Sequence, residues 1–224
     1  SNNIYVILPL IRGINLMLSN KLVLATQNLH KQQEMKNILS SLRTLIIGLD
    51  EFPQIGDIEE TGTTLTENAF IKAKTVFEFT GLPSLADDTG LEVDSLDGAP
   101  GVYSARYAGQ NPTYMENCDK LLSNLKGVSK DQRTATFKTV IAFFDGKIEH
   151  HTIGMVKGII VDKCRGKDGF GYDPIFMPQS SNMTYAQMDI KNKNSTSHRF
   201  KALEKMKSFL APYFKTKGET IDLK

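Results

Sequence analysis

Cysteine is scarce in this chain: there are two among 224 residues, Cys118 and Cys164, and neither sits in a CxxC pair. That excludes a disulfide framework and points to a reducing, cytoplasmic setting. Charge of one sign is also lacking. The 27 basic and 25 acidic residues leave a formal net charge of +2, which makes no case for a nucleic-acid or membrane partner. No long uninterrupted apolar run occurs either. The most apolar stretch, Ile4 to Leu18, is broken by Pro9, Arg12 and Gly13, and it is shorter than the roughly 20 residues of a spanning helix. It has neither the basic start nor the small-residue cleavage site of a signal peptide. Residues 1–20 are therefore expected to be an extension without chemistry. Repeats and low-complexity linkers are missing, so residues 21–216 are expected to form one domain, with 217–224 as a tail.

What is present is an alternation of short apolar runs and amphipathic segments, the pattern of an α/β protein. Lys21–Thr26 and Thr44–Leu49 read as strands around a helix whose inner face carries Leu29, Met35, Ile38, Leu39 and Leu42. That opening is a βαβ unit with parallel strands. Thr64 and Glu67 have capping-box spacing ahead of an apolar stripe ending at Gly81. Asn111-Pro112 reads as the start of a helix, with Pro at its first position. The segment 133–161 reads as long β-structure turning at Asp145-Gly146, and 197–214 as a last helix.

Four places carry chemistry. Thr26, Asn28 and Lys31 follow the first strand where a helix begins, the edge at which open α/β sheets bind ligands and helix amides favour phosphate. The P-loop pattern is absent there, and an ordinary helix cap beside a solvated lysine is the alternative. Asp87 and Asp88 stand side by side between apparent strand segments, where burial of paired carboxylates is costly unless a cation offsets it. Magnesium suits such oxygen ligands. An aspartate cap in a turn is the bland reading. The loop Gly166–Phe176 is glycine-rich and offers Phe170 and Tyr172 for stacking on a base. Lys193, His198 and Arg199 sit just before or at a helix start, where the dipole disfavours cations, so an electron-rich partner is expected.

Five ordered blocks, "TQNLHKQQE", "EETGTTLTENAFIKA", "LADDTGLEVDSLDGAPGVYSARYAG", "GFGYDPIF" and "SHR", together resemble the Ham1-type inosine triphosphate pyrophosphatases from about Lys21 to Phe214. The resemblance implies an α/β fold: an elongated mixed β-sheet flanked by helices, in two lobes around a central substrate cleft. It implies a homodimer that hydrolyses the purine nucleoside triphosphates ITP, dITP and XTP to monophosphate and pyrophosphate. The implied cofactor is Mg²⁺, with Mn²⁺ as a substitute. By the same resemblance, Thr26, Gln27, Asn28, Leu29, His30 and Lys31 form the phosphate loop, with Lys72 near the triphosphate. Glu60 and Asp88 bind the metal, Asp88 also takes the water proton, and Asp87 supports that site. Thr89 touches the substrate, and Phe170, Gly171, Tyr172 and Asp173 form the base pocket. Lys193, His198 and Arg199 meet the purine. Three positions depart from the family pattern. Gln27 stands where many relatives have Gly and is expected to narrow the phosphate loop, Gln187 stands for a common Glu, and Thr89 for a common Ser. A nucleotide-binding sensor without catalysis, and a related enzyme acting on modified pyrimidine nucleotides, are the competing readings.

Overall fold

The computed structural model describes residues 20–219 and the side chains of residues 20–215. Residues 1–19 of the expected extension, and 220–224 of the expected tail, lie outside them. Asn20, assigned to the extension, belongs to the folded body: its side chain donates to the Phe214 carbonyl at 3.0 Å, and its own carbonyl accepts from Leu45 N.

One seven-stranded mixed sheet organises the chain, in the order β2-β1-β3-β5-β6-β7, with β4 beside the far end of β3. β1 (Lys21–Leu24), helix α1 (Leu29–Leu39) and β2 (Leu45–Gly48) form the expected βαβ unit, with parallel strands. Helix α2 (Leu65–Thr80) opens on the Thr64–Glu67 capping box and closes on Gly81 at φ 67°. It returns the chain to β3 (Ser84–Val93), parallel to β1. β4 (Pro100–Gly101) folds back on β3. β5 (Thr134–Phe144) and β6 (Glu149–Ile160) form the long hairpin, and Asp145 Oδ1 closes its turn by accepting from Lys147 N and Ile148 N. β7 (Phe176–Pro178) borders β6. Helix α3 (Tyr114–Asn124) precedes β5, and α4 (Ile190–Thr196) and α5 (His198–Glu219) end the described chain.

Other sequence expectations change as well. Helix α3 starts at Tyr114, not at Pro112, because Thr113 and Glu116 satisfy one another's backbone N–H groups in a capping box that Pro112 cannot enter. Leu29 is 69% exposed, since it is the first residue of α1 and points away from the face carrying Met35 and Leu39. No helix among the described residues is long and apolar enough to cross a membrane.

Strand alternation sorts the core. Leu85 packs with Leu24, Met35 and Met206 under α1 and α5, whereas its neighbour Ala86 packs with Val23, Ala73 and Val76 under α2. Ala69 and Ala73 let α2 approach the sheet closely. At the other end of β3, Leu91 and Val93 join Leu121, Phe137 and Phe176 in a separate core covered by α3. Leu85, Asp87, Thr89, Leu91 and Val93 share one face of the strand. The two polar members therefore lie between two hydrophobic cores, and this break is the cleft between the lobes. One edge of β3 is open at the same level: among the described strands, β1 pairs no further than Leu85 and β4 pairs only from Leu91. Gly90 is needed beside that opening, because a Cβ there would stand 2.6 Å from the Gly101 carbonyl oxygen.

Candidate active site

The paired aspartates are consecutive residues of a strand, so their side chains leave it on opposite faces. That separation reduces, without removing, the side-by-side repulsion inferred from the sequence, and the two carboxylates contact different cations. Asp87 is completely buried. Its Oδ2 lies 3.1 Å from Lys31 Nζ and 3.3 Å from Arg199 Nε, and it accepts from the Thr89 hydroxyl. Burial opposes its ionisation, but Lys31 and Arg199 prevail and hold the carboxyl well below the usual range.

Asp88 faces α2. Lys72 Nζ stands between it and Glu60, 3.4 Å from Asp88 Oδ1 and 2.6 Å from Glu60 Oε1. Arg106 also reaches Glu60, at 3.3 Å. Burial pushes the Asp88 carboxyl up despite Lys72, and the nearby Glu60 adds to the rise. Glu60 is moved the other way: burial opposes, but Lys72 outweighs it. Lys72 is held charged, since Asp88 and Glu60 overcome the cost of its burial. One oxygen of each aspartate, Asp87 Oδ1 and Asp88 Oδ2, is buried without a partner among the described residues.

On the Asp87 face lies a cavity of about 140 Å³, many times the space one water occupies. Of the predicted site residues, Asn28, Lys31, Thr89, Phe170, Gly171, Tyr172, Asp173, Lys193, His198 and Arg199 line it. Thr26, Gln27, Leu29, His30, Glu60, Lys72, Asp87 and Asp88 do not line it. Asn28 caps α1: its Oδ1 accepts from His30 N and Lys31 N, and its own N–H donates to Thr26 Oγ1. The Gln27 side chain is exposed and donates to the Gly56 carbonyl. Leu29 and His30 belong to an adjoining cavity, where the His30 ring stacks on Phe170 at 5.4 Å.

The glycine-rich loop is held by Asp173, which accepts from Phe170 N at 2.8 Å and from Lys193 Nζ at 2.7 Å. Gly169, at φ 77°, lets the loop pass against that carboxylate, where a Cβ would clash with Asp173 Oδ2. Burial raises the Asp173 carboxyl, although Lys193 opposes the rise. Tyr172 is packed into the core, and its hydroxyl donates to the Ser104 carbonyl, so the half-buried ring available for stacking is Phe170. His198 stacks on Phe137 at 4.4 Å, with its Nδ1 buried and without a partner among the described residues. Burial, reinforced by Arg199 and Lys193, drives its proton affinity well below the ordinary histidine value, so the imidazole is neutral.

Arg199 is buried and held charged, since Asp87 and Glu34 outweigh the cost of its burial. Its three nitrogens donate to Asp87, Glu34 and Thr89. Three of a guanidinium's five N–H groups are thus engaged and two remain for a ligand. Glu34, which also lies 3.4 Å from Lys193 Nζ, is a site residue that motif reading missed, as are Arg106 and Tyr114. Glu34 stood at the end of the first block, one turn beyond Lys31 on the same helix, and that spacing was the signal available. Gln187 keeps a glutamate's structural part, closing a capping box on Thr184. Thr89 keeps the serine hydroxyl, sharing a 2.7 Å hydrogen bond with Thr139.

Glu60 and Asp88 supply hard carboxylate oxygens, one of them unpartnered, as a divalent cation requires. Among the described residues no group of three His, Cys, Asp or Glu side chains converges to hold a metal alone. That donor set fits Mg²⁺, which keeps waters and binds through one or two carboxylates together with substrate phosphates.

Comparison with known proteins places the chain in a family. The family model described as "Ham1 family" matches residues 22–209. A dITP/XTP pyrophosphatase of Desulforamulus reducens is 47% identical over 85% of this chain and 95% of its own length. One from Porphyromonas gingivalis is 46% identical over 85% of this chain and 97% of its own. The solved structure of a HAM1 protein from Coxiella burnetii superposes with a TM-score of 0.79 at 44% identity, covering 85% of this chain and 98% of that one.

Proposed function

The chain belongs to the Ham1 family, and from that membership we propose that it hydrolyses the deaminated purine nucleoside triphosphates ITP, dITP and XTP to the nucleoside monophosphate and pyrophosphate. The observation that carries the reading is the buried, unpartnered oxygen of Asp88, set beside Lys72 at the open edge of β3. A triphosphate lying across that edge keeps its base on the Asp87 face and its phosphates near Lys31 and Lys72.

In this reading Asp88 takes the proton of the water that attacks the α-phosphate. The raised proton affinity of its carboxyl makes it a better base than an exposed aspartate. Lys31 and Lys72 offset the charge that shifts onto the departing pyrophosphate. Glu60 and Asp88 hold the divalent cation, Mg²⁺ or in its place Mn²⁺, which when bound supplies further neutralisation of the phosphates. Asp87 stays ionised and takes no proton, fixing Lys31 and Arg199 where the substrate meets them.

Base choice follows from donors. The two spare N–H groups of Arg199 and the N–H of neutral His198 suit a 6-oxo acceptor. The 6-amino group of adenine leaves a buried donor unpaired, at about 1–3 kcal/mol. Phe170 provides a stacking face. We further propose a homodimer in the cytoplasm, the location supported by two cysteines that are both free thiols, with residues 1–19 as an accessory extension. The test is pyrophosphate release with Mg²⁺ across ITP, dITP, XTP, dUTP, GTP and ATP. The proposal expects the three deaminated purines to lead in kcat/KM. A lead by dUTP, or binding of ITP without turnover, overturns it.

A further inference from the structure

Tyr114 belongs to none of the five sequence blocks, yet it lines the base cavity. It is the first residue of α3 and 45% exposed, so packing does not explain a tyrosine there. Its hydroxyl accepts from Asn28 Nδ2 at 3.0 Å, which suspends the ring across the cleft, from the α3 side to the phosphate loop. Its ring centroid is 6.1 Å from that of Phe170, with the planes tilted by 44°. The neighbouring His30 stacks on Phe170 from outside this cavity and is not one of its walls.

Resting on the function proposed above, we propose that Tyr114 is a substrate-contacting residue: the second aromatic wall of the base site, stacking on the purine face opposite Phe170. Stacked bases repeat at about 3.4 Å, so a base held between two rings separates them by about 7 Å. The observed 6.1 Å is within 1 Å of that, and side-chain rotation of this half-exposed ring supplies the remaining separation. Every base has a π-face, so this wall adds affinity without choosing among purines. Selection stays with Arg199 and His198.

The test is ITP turnover by wild type, Tyr114→Ala and Tyr114→Phe. The start of α3 rests on Thr113 and Glu116, so neither substitution touches the cap, and equal melting temperatures check this. Losing one stacking face is expected to raise KM about tenfold in Tyr114→Ala with kcat nearly unchanged, while Tyr114→Phe stays within about threefold of wild type. An unchanged or lowered KM in Tyr114→Ala overturns the proposal. So does a Tyr114→Phe defect as large as that of Tyr114→Ala, because the hydroxyl tether to Asn28 would then be the whole effect. A wild type inactive on ITP would instead overturn the proposed function itself.

Discussion

Asparagine substituted at each of the two adjacent aspartates should give opposite outcomes. Asp87 is fully buried and ionised against Lys31 at 3.1 Å and Arg199 at 3.3 Å. Asp87→Asn keeps the shape and removes the charge, leaving two cations without their shared counter-ion. Breaking a buried pair costs about 3–5 kcal/mol. Arg199 keeps Glu34, so the lower end applies, about 3 kcal/mol. With a urea slope of about 2 kcal/mol per molar, the unfolding midpoint falls by about 1.5 M. Asp88 differs, because burial raises its carboxyl, so its charge contributes less to the fold than that of Asp87. Asp88→Asn should therefore change stability by less than about 1 kcal/mol, and it should abolish turnover of ITP. Urea unfolding at pH 7, followed by circular dichroism, measures both proteins. Equal stability losses, or a loss below about 1 kcal/mol in Asp87→Asn, would refute the assignment of Asp87 as the electrostatic tie between α1, β3 and α5.

Other outcomes follow from the same geometry. His198 is neutral in the folded chain, whereas the unfolded chain takes a proton below the ordinary value of 6.5. Stability from this group therefore falls by about 1.4 kcal/mol per pH unit below 6.5. Asp88 and Asp173, whose carboxyls are raised, contribute with the opposite sign, favouring the fold at low pH and losing that contribution as pH rises. The comparison is therefore wild type against His198→Gln at pH 6.5 and 5.5, and parallel urea midpoints would contradict the neutral assignment. Arg199→Lys keeps a charge for Asp87 but loses the planar fork, so the preference for ITP over ATP should shrink about tenfold. Equal losses on both nucleotides would remove Arg199 from base recognition. Gly90→Ala forces a Cβ against the Gly101 backbone; scanning calorimetry should show a destabilisation of about 2 kcal/mol, or roughly 5 °C in Tm. A wild-type Tm would mean that β4 shifts freely.

Much of this arrangement was legible in the chain because it is encoded locally. The Thr64–Glu67 box, the Gly81 stop and the βαβ opening each depend on residues within a turn or two. The sequence also marks the Asp87-Asp88 pair, but as a break between strand segments. Once Ser84–Val93 is a continuous strand, alternation sends the two carboxylates to different faces, and the cations beside them are lysines and an arginine. What stayed hidden was partnership at long range. Arg199 and Glu34 are 165 residues apart, and Arg106 and Glu60 are 46 apart; neither spacing has any period to reveal it. Tyr114 escaped because Asn28 and Phe170, which it meets in the cavity, lie far from it and from each other in the sequence. Pro112 misled because a capping box one residue later competes for the same helix start.

The most direct test of the central claim is to identify the products formed from ITP and Mg²⁺ by phosphorus NMR, for wild type and for Asp88→Asn. Cleavage between the α- and β-phosphates predicts inosine monophosphate and pyrophosphate from the wild type, and intact ITP from Asp88→Asn. Orthophosphate with inosine diphosphate, or unchanged cleavage in Asp88→Asn, would contradict it.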